Sequence, residues 1–380
     1  MHITPEQQSR MTMPITHCAI FLTERCDLAC TYCYLKNIAP ARDMSEKAGM
    51  DVVDFLLSRA KEYLSISFFG GEPLLEFDLI KKLISYARKR AEENEIKITF
   101  SINTNGILID REKIDYLRKN RMGIVLSIDG LPESHDTRRI TKEGGGSFDL
   151  LNKKIPILLE DPRQVHIRMT VTPDTVSKMF CGVKFIHDIG FRSLAVAMDR
   201  TAPGWTGDKK KIFADEYKEI VDWYIDMLRE GDKFKLIDLD YGAASLDHPY
   251  REKGMPCEAG RSGIAIDPVG IIYPCYRFVG MKDTAIGDIY NGFDDEKRKI
   301  FFDYSRLNIE KCKNCPFNFR CHRCPWLSYT ITGDYSAPVD INCFEADLMI
   351  GLFRYFREKM EKEENEIYRK RVEILKKKYF

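Results

Sequence analysis

Three cysteines lie close together near the N-terminus, in the segment Cys26-Asp-Leu-Ala-Cys30-Thr-Tyr-Cys33. Cysteine thiolates hold iron–sulfur clusters, and a cubane cluster has four irons. Three cysteines on one tight loop would therefore leave one iron without a protein ligand. An open metal position of this kind can bind a substrate directly, as a catalytic metal site requires. The spacing predicts a cluster with one open iron.

A cofactor that carries both an amino group and a carboxylate could chelate this open iron, and the methionyl end of S-adenosylmethionine (SAM) offers both. One electron from the cluster would then cleave the sulfonium to methionine and a 5′-deoxyadenosyl radical. Zinc is the main alternative, but a zinc site needs a fourth ligand and commonly has paired Cys-x-x-Cys units. The three-cysteine segment fits that pattern poorly.

Seven more cysteines lie in the C-terminal third of the chain, and they are Cys257, Cys275, Cys312, Cys315, Cys321, Cys324 and Cys343. The chain has twelve cysteines in all, which in a reducing compartment indicates metal or redox chemistry rather than disulfides. The two Cys-x-x-Cys units within 312–324 also fit a zinc ribbon. Only Cys18 and Cys181 stand alone, and we expect both to be buried structural thiols.

Short β-rich runs alternate with amphipathic helical runs from about residue 16 to residue 230. The predicted strands are Ala19–Leu22, Ser65–Phe69, Lys97–Ile102, Ile124–Ile128, His166–Val171 and Leu194–Met198. The predicted helices include Glu46–Tyr63, Asp78–Glu92, Arg111–Asn120, Phe148–Leu159 and Phe213–Glu230. Six such units predict an α/β fold, a partial (β/α)6 TIM-like barrel with its chemistry at the C-terminal ends of the strands.

Four segments follow from the pattern along the chain. Residues 1–230 form the partial barrel, 231–256 a connection, and 257–345 a small cysteine-rich domain. That domain has few long periodic runs, so an inorganic cluster would have to stabilise it. Residues 346–380 are predicted to be a charged helix on the solvated surface, with spacings such as Glu366/Lys370.

The composition limits the partners and the location. The formal net charge of the 380-residue chain is +1, which argues against nucleic acid or a membrane surface as the main partner. No run of 18 apolar residues and no signal-peptide apolar region occurs in the sequence. We therefore expect a cytoplasmic protein.

Motifs after the cysteine loop resemble those of the radical SAM superfamily. They are Phe69-Gly70-Gly71-Glu72-Pro73, Asn103-Thr104-Asn105-Gly106 and Ser127-Ile128-Asp129-Gly130 followed by Arg139. The resemblance implies that SAM is bound by Tyr32, Gly70, Gly71, Glu72, Pro73, Asn103, Asn105, Ser127 and Arg139. Within this set Glu72 supplies a counter-charge or fixes its loop, and Arg138 is an alternative to Arg139. Arg168 is a weaker candidate.

The seven C-terminal cysteines resemble the SPASM domain, which implies two auxiliary [4Fe–4S] clusters and three clusters in all. Cys257, Cys275 and Cys324 would hold the inner auxiliary cluster. Cys312, Cys315, Cys321 and Cys343 would hold the outer one. Seven thiolates leave the inner cluster one ligand short, so it too has an open iron. The pattern departs from the family at Cys321 and Cys324, which have two residues between them where three are usual.

Enzymes with a SPASM domain mostly modify ribosomally made peptides or proteins, so the resemblance implies a peptide or protein substrate. Oxidative cross-linking of a Cys-containing peptide, such as thioether formation, is the preferred hypothesis. Anaerobic sulfatase maturation to formylglycine is an alternative, but Tyr276 stands where those enzymes have an aspartate base. A non-catalytic iron–sulfur electron carrier is the third hypothesis. The sequence assigns no catalytic residue.

Two protein partners are expected besides the substrate. Reductive SAM cleavage needs a low-potential electron donor such as a ferredoxin or flavodoxin. Several peptide maturases grip the leader peptide with an N-terminal winged-helix module, and residues 1–25 before Cys26 are too few for one. Leader recognition would then need a separate leader-peptide-binding protein or another surface of this chain, or the substrate does not depend on a leader.

Overall fold

The computed structural model describes residues 13–35, 40–247, 257–303, 309–317, 321 and 323–379. The chain divides into two compact units, each assembled from separate stretches of sequence. Unit 1 comprises Met1–Leu126, Arg138–Leu158 and Glu258–Arg306, and unit 2 comprises Ser127–Thr137, Leu159–Cys257 and Leu307–Phe380. The sequence-based division at residues 230, 256 and 345 stays a prediction.

The strands and helices alternate along the first two thirds of the chain. The strands are β1 (His17–Thr23), β2 (Tyr63–Gly70), β3 (Lys97–Thr104), β4 (Gly123–Ser127), β5 (Val165–Val171), β6 (Ser193–Met198), β7 (Lys235–Leu236), β8 (Gly263–Ile266), β9 (Ile271–Tyr273), β10 (Gly287–Asp288) and β11 (Gly292–Phe293). The helices are α1 (Glu46–Arg59), α2 (Phe77–Glu93), α3 (Arg111–Lys119), α4 (Pro132–Asp136), α5 (Phe148–Asn152), α6 (Ile155–Leu158), α7 (Met179–Asp188), α8 (Gly207–Arg229), α9 (Ile237–Ser245), α10 (Asp295–Asp303), α11 (Glu310–Lys313), α12 (Pro325–Thr332), α13 (Asp340–Lys362) and α14 (Glu366–Tyr379).

The sheet of unit 1 has the strand order β11-β10-β9-β8-β1-β2-β3-β4. In this order, the pairs β8–β1, β1–β2, β2–β3 and β3–β4 are parallel. The pairs β8–β9, β9–β10 and β10–β11 are antiparallel. β1 pairs on both sides, and all its residues after His17 are buried. A strand covered on both faces must be apolar along its whole length, which explains the run Cys-Ala-Ile-Phe-Leu.

Unit 2 contains the parallel strands β5, β6 and β7 in that order. In the sequence, α7 lies between β5 and β6, and α8 lies between β6 and β7. In neither unit do the described strands close into a barrel. All six predicted strands are present as β1 to β6. The predicted α/β fold with a parallel sheet is therefore confirmed.

Some helix bounds differ from the predictions, for local reasons. α1 ends at Arg59 because Tyr63 already begins β2. The helix predicted over Phe148–Leu159 is two short helices, α5 and α6, because Pro156 is tolerated only in the first turn of a helix. α8 begins at Gly207, where the hydroxyl of Thr206 caps the N–H of Lys209 at 3.3 Å.

The C-terminal tail is two helices rather than the single predicted helix. α13 begins at Asp340 and ends at Lys362, and α14 starts at Glu366. Between the two helices, Glu364 has a φ of +53°, which interrupts the helical backbone. The tail is also not simply solvated, because Phe356 and Met360 are fully buried. α9 lies in the predicted connection, and a Cβ on Gly242 of that helix would be 2.2 Å from the Phe353 ring. Only glycine permits this packing of α9 on α13.

The two isolated cysteines have different environments. Cys18 on β1 is fully buried, as predicted. The prediction for Cys181 is wrong, because its side chain is exposed. The buried face of α7 carries Met179, Gly182 and Val183, and Cys181 points away from it. No helix in the described part of the chain is long and apolar enough to cross a membrane.

Candidate metal centre and cofactor site

The loop 26–33 after β1 carries the three N-terminal cysteines and is held by backbone contacts to a second loop. Leu28 forms a β-bridge with Thr141, and the N–H of Thr31 donates to the carbonyl of Arg138 at 2.9 Å. These bonds act on both sides of Cys30. The chain therefore fixes the course of the cysteine loop through its own hydrogen bonds.

The thiols of this loop are half-buried, and their surroundings fit a metal-bound thiolate. The N–H of Leu28 donates to the Cys26 sulfur at 3.4 Å. Burial raises the pKa of Cys26 to about 12, and the charges of Glu72 and Asp27 add to the effect. Such a thiol stays protonated at neutral pH unless a positive metal centre displaces the proton. A cluster at this loop would supply that positive charge.

The loop after β2 touches the start of the cysteine loop through two glycines. Gly70 has a φ of +148°, and a Cβ on it would lie 2.3 Å from the carbonyl oxygen of Thr23. A Cβ on Gly71 would lie 2.1 Å from the carbonyl oxygen of Arg25. Any side chain at either position would therefore separate the two loops.

Glu72 follows these glycines, and its carboxylate is buried. Its Oε1 accepts hydrogen bonds from the Leu74 N–H at 3.0 Å and the Thr104 hydroxyl at 2.8 Å. Its Oε2 accepts from the Asn105 N–H at 2.9 Å. Burial raises the pKa of Glu72 to about 7. The sequence left two roles open for Glu72, a counter-charge to SAM or a residue that fixes its loop. These contacts are the ones expected of a residue that fixes its loop.

The motif at the end of β3 reaches back to the cysteine loop. The Asn105 side chain donates to Asp27 Oδ1 at 2.7 Å and accepts from the Ile107 N–H at 2.9 Å. Asn105 therefore ties this motif to the residue directly after Cys26. Asn103 lies on β3 itself, opposite Val125 of β4.

An arginine stacks on the aromatic residue that precedes Cys33. The Arg139 guanidinium lies 5.4 Å from the centre of the Tyr32 ring, and Arg139 is buried. Arg138, the alternative, places Nη1 3.4 Å from the Thr31 hydroxyl oxygen. Ser127 is the last residue of β4 and lies in unit 2. The assignment of these residues to SAM stays a prediction.

Arg42 joins the cysteine loop to the β8–β9 hairpin through two buried carboxylates. Its Nη2 lies 2.9 Å from Asp267 Oδ2 and forms a shorter ion pair with Glu24 Oε1. Both acidic side chains have no exposed surface, whereas that of Arg42 is 33% exposed. Glu24 precedes Cys26 and Asp267 precedes Cys275. Sequence analysis missed this link because its partners are 225 residues apart and no local pattern joins them.

Aromatic rings surround the residue that stands in place of an aspartate after Cys275. The Tyr276 ring lies 5.1 Å from that of Phe69 and 6.2 Å from that of Tyr34. The Arg277 guanidinium lies 5.7 Å from the centre of the Tyr276 ring. Tyr34 follows Cys33 and Tyr276 follows Cys275, so this aromatic contact joins the residues next to two predicted cluster ligands of unit 1.

The four predicted ligands of the outer auxiliary cluster share one cavity in unit 2. The cavity has a volume of about 240 Å³, and its lining includes Cys312, Cys315, Cys321 and Cys343. Burial raises the pKa of Cys321 to about 11, and charge on the other three sulfurs adds to the effect. Four cysteines that line one pocket are the number of thiolate ligands that a fully ligated cubane requires.

The ligands predicted for the inner auxiliary cluster are not gathered within either unit. Cys275 follows β9 in unit 1, while Cys257 and Cys324 belong to unit 2. In the described ranges, no three Cys, His, Asp or Glu side chains converge as a single metal ion would need. The grouping of these three cysteines stays a prediction.

The cysteine loop and the motifs that follow the strands match a known protein family. The family model of the radical SAM superfamily matches residues 20–176, which include the cysteine loop and the motifs after β2, β3 and β4. These residues are a radical SAM domain. The chain is therefore an enzyme that uses SAM and a [4Fe–4S] cluster, and the hypothesis of a non-catalytic electron carrier is set aside.

Relatives along most of the chain include peptide and protein maturases. The chain is 23% identical to the radical SAM cyclopropyl synthase TigE of Paramaledivibacter caminithermalis over 80% of its length, which spans 66% of TigE. It is 26% identical to the cysteine-type anaerobic sulfatase-maturating enzyme of Clostridium perfringens, over 79% of this chain and 86% of that one. Outside the radical SAM domain, the chain is thus similar to radical SAM enzymes that include a sulfatase-maturating enzyme.

A solved structure has the same fold. The anSMEcpe enzyme with bound AdoMet and Cp18Cys peptide superposes with a TM-score of 0.73 at 21% identity, over 96% of this chain and 99% of that one. This likeness confirms the fold expected for a radical SAM domain followed by a SPASM region. It does not by itself assign the reaction.

Substitution of Glu72 by Gln should destabilise the protein. Each carboxylate oxygen accepts a backbone N–H, so an amide nitrogen in either orientation would face a donor. One unsatisfied buried donor costs about 1–3 kcal/mol. We expect a lower urea midpoint for Glu72→Gln in the cluster-loaded protein, measured by circular dichroism without oxygen. Glu93→Gln, which alters an exposed ion pair to Arg90, is the control. Equal midpoints for both variants would contradict this role.

Substitution of Arg42 by Met should leave two buried carboxylates without their shared cation. Removing one partner of a buried ion pair costs about 3–5 kcal/mol, and partial exposure of Arg42 places this change near the lower end. Arg25→Met removes an exposed cation that pairs with Asp43 and Glu76, and it should change stability little. Urea unfolding of both variants tests this. A shift no larger than that of the control would refute the link.

Proposed function

We propose that the chain is a radical SAM/SPASM peptide-modifying enzyme that forms an oxidative cross-link, such as a thioether, on a Cys-containing peptide. A reduced cluster with bound SAM supplies a 5′-deoxyadenosyl radical. The observation that carries the proposal is the three-cysteine loop, whose approach packs against Gly70 and Gly71, while the buried Glu72 carboxylate joins the loops that follow β2 and β3. The residues proposed to bind SAM are those the sequence predicts.

The protein groups in this site act by position and charge. Gly70 and Gly71 let the backbone approach the cluster loop closely, so that SAM can lie against main-chain groups. Arg139, stacked on Tyr32, offers a guanidinium to a carboxylate or ribose oxygen. Because Asn105 and Glu72 are occupied by internal hydrogen bonds, their part in SAM binding would be to hold the loops in place.

The proposal includes three [4Fe–4S] clusters, two of them auxiliary. The cavity with four cysteines supports the outer auxiliary cluster. Cys257, Cys275 and Cys324 would hold the inner one and leave one iron open, where a substrate thiolate could bind. Hydrogen abstraction from the peptide leaves a carbon radical. The substrate thiol would lose its proton on binding as a thiolate, and bond formation between the peptide carbon and this sulfur would then leave one electron for an auxiliary cluster to accept.

A polypeptide substrate is supported by the similar proteins. The solved structure compared above contains a bound peptide, and the Clostridium perfringens relative is named for sulfatase maturation. We expect one further partner, a ferredoxin or flavodoxin that donates the electron for SAM cleavage.

Formylglycine formation is the second candidate because of the match to the sulfatase-maturating enzyme. Tyr276, placed among Phe69 and Tyr34, argues against it, since a ring in this aromatic contact does not supply a carboxylate base. Mass spectrometry of a treated Cys-containing peptide separates the two reactions. A thioether retains the sulfur and loses two hydrogens, whereas formylglycine loses the sulfur.

The cluster count gives a direct test. We expect about twelve irons per chain after anaerobic reconstitution, four for each cubane, and about eight in Cys26→Ala or Cys321→Ala. Iron and zinc analysis of the three proteins measures this, with the exposed Cys181→Ala variant as the control. Zinc in place of iron, or no loss in Cys321→Ala, would contradict the proposal.

The division of labour between clusters gives a second test. Cys275→Ala should still convert SAM to 5′-deoxyadenosine with dithionite but should form no cross-linked peptide. Cys26→Ala should lose both activities. Chromatography of 5′-deoxyadenosine and mass spectrometry of the peptide measure the two steps. Full product formation by Cys275→Ala would contradict a role of the inner auxiliary cluster in the reaction.

A further inference from the structure

The carboxamide of Asn342 lies against one of the four cysteines of the outer cavity. Asn342 directly precedes Cys343 at the start of α13, is buried, and is part of the cavity lining. Its Nδ2 lies 3.4 Å from the sulfur of Cys321. The side chain thus offers an N–H to a predicted cluster ligand that is distant in sequence.

A partly buried arginine sets the orientation of this carboxamide. Arg200 Nη1 donates to Asn342 Oδ1 at 2.9 Å. Because a guanidinium has only donors, the amide oxygen must face Arg200, and the NH2 group must face Cys321. Arg200 is itself held by an ion pair of 3.0 Å with Glu345 Oε2. The three residues Arg200, Asn342 and Glu345 therefore form one chain that ends on a sulfur, which we call the Asn342 relay.

Hydrogen bonds to cluster sulfurs, net charge and solvent exposure set the reduction potential of an iron–sulfur cluster. An N–H that points at the sulfur stabilises the more negative, reduced state more than the oxidised state. Other charges near the cavity belong to Arg323, which acts on Cys321, and to Lys311, which acts on Cys343 and is paired with Asp340 at 2.7 Å. The Asn342 relay adds to these charges a hydrogen bond to a cysteine sulfur of the cavity, from Asn342 Nδ2 to Cys321.

We propose that Asn342 is a positioning residue that raises the reduction potential of the outer auxiliary cluster, with Arg200 holding its amide in the donating orientation. The inference rests on the proposed function, because it requires a cluster at the four cysteines. A raised potential makes the outer cluster the better acceptor for the electron released when the cross-link forms. The relay thereby draws the electron away from the peptide.

The test compares Asn342→Leu and Asn342→Asp with the wild-type protein in redox titrations followed by electron paramagnetic resonance. Neither replacement can donate an N–H to Cys321, and an ionised aspartate would add a negative charge. We expect one of the three cluster potentials to fall in Asn342→Leu and to fall further in Asn342→Asp. The other two potentials and the iron content should not change.

The exposed Asn314, which lies between Cys312 and Cys315, provides the matched control, and Asn314→Leu should keep all three potentials. Arg200→Met should shift the same potential as Asn342→Leu, by a smaller amount, because the amide loses its fixed orientation. Unchanged potentials in both Asn342 variants at full iron content would overturn the inference. Loss of four irons from both variants would also overturn it, since Asn342 would then be needed only for structure.

Failure of the proposed function has a different signature. If Cys321→Ala keeps the wild-type iron content and potentials, there is no cluster at this cavity, whatever the Asn342 variants do. If Cys321→Ala loses four irons while both Asn342 variants keep every potential, the cluster is present and only the relay fails. The two results are distinguishable in one set of samples.

Discussion

The buried carboxylate of Glu72 is the interaction on which the arrangement of the radical SAM domain depends. A buried charge is stable only when hydrogen bonds replace its lost hydration, and Glu72 receives them from its own loop and from the end of β3. Its backbone N–H also donates to the Arg25 carbonyl just before Cys26, at 2.9 Å. One residue therefore brings together the three segments that would surround the cluster and SAM.

The same principle recurs at the auxiliary sites. Arg42 lies between Glu24 and Asp267, so the segments that lead to Cys26 and Cys275 share one cation. Around the outer cavity, Arg200 orients an amide toward Cys321. In each case a polar side chain that is at least partly buried joins, through hydrogen bonds, a segment close to a predicted cluster cysteine to a distant part of the chain. Cluster geometry and cluster potential would then both follow from hydrogen bonds set by distant parts of the chain.

Much of the fold follows from sequence patterns, since strand runs and helix periodicity are local, and β1 to β6 are examples. The grouping of four cysteines around one cavity agrees with what the resemblance to the SPASM domain implies, while their role as cluster ligands stays a prediction. The contacts of Arg42 could not be predicted, because its two carboxylates are conventional turn or loop residues until the fold joins them. Cys181 was placed on the wrong side of α7 because a cysteine is apolar enough for either face. The end of the helix near Glu364 could not be predicted, because no glycine or proline lies there in the sequence.

The central claim is that the three-cysteine loop holds a cubane whose open iron binds SAM. The most direct measurement is the electron paramagnetic resonance spectrum of a Cys275→Ala/Cys321→Ala double variant, in which only this cluster should give a well-defined signal. The account predicts that SAM shifts the g-values of the dithionite-reduced protein. An unchanged spectrum with SAM in excess, from protein that retains four irons at this loop, would contradict it.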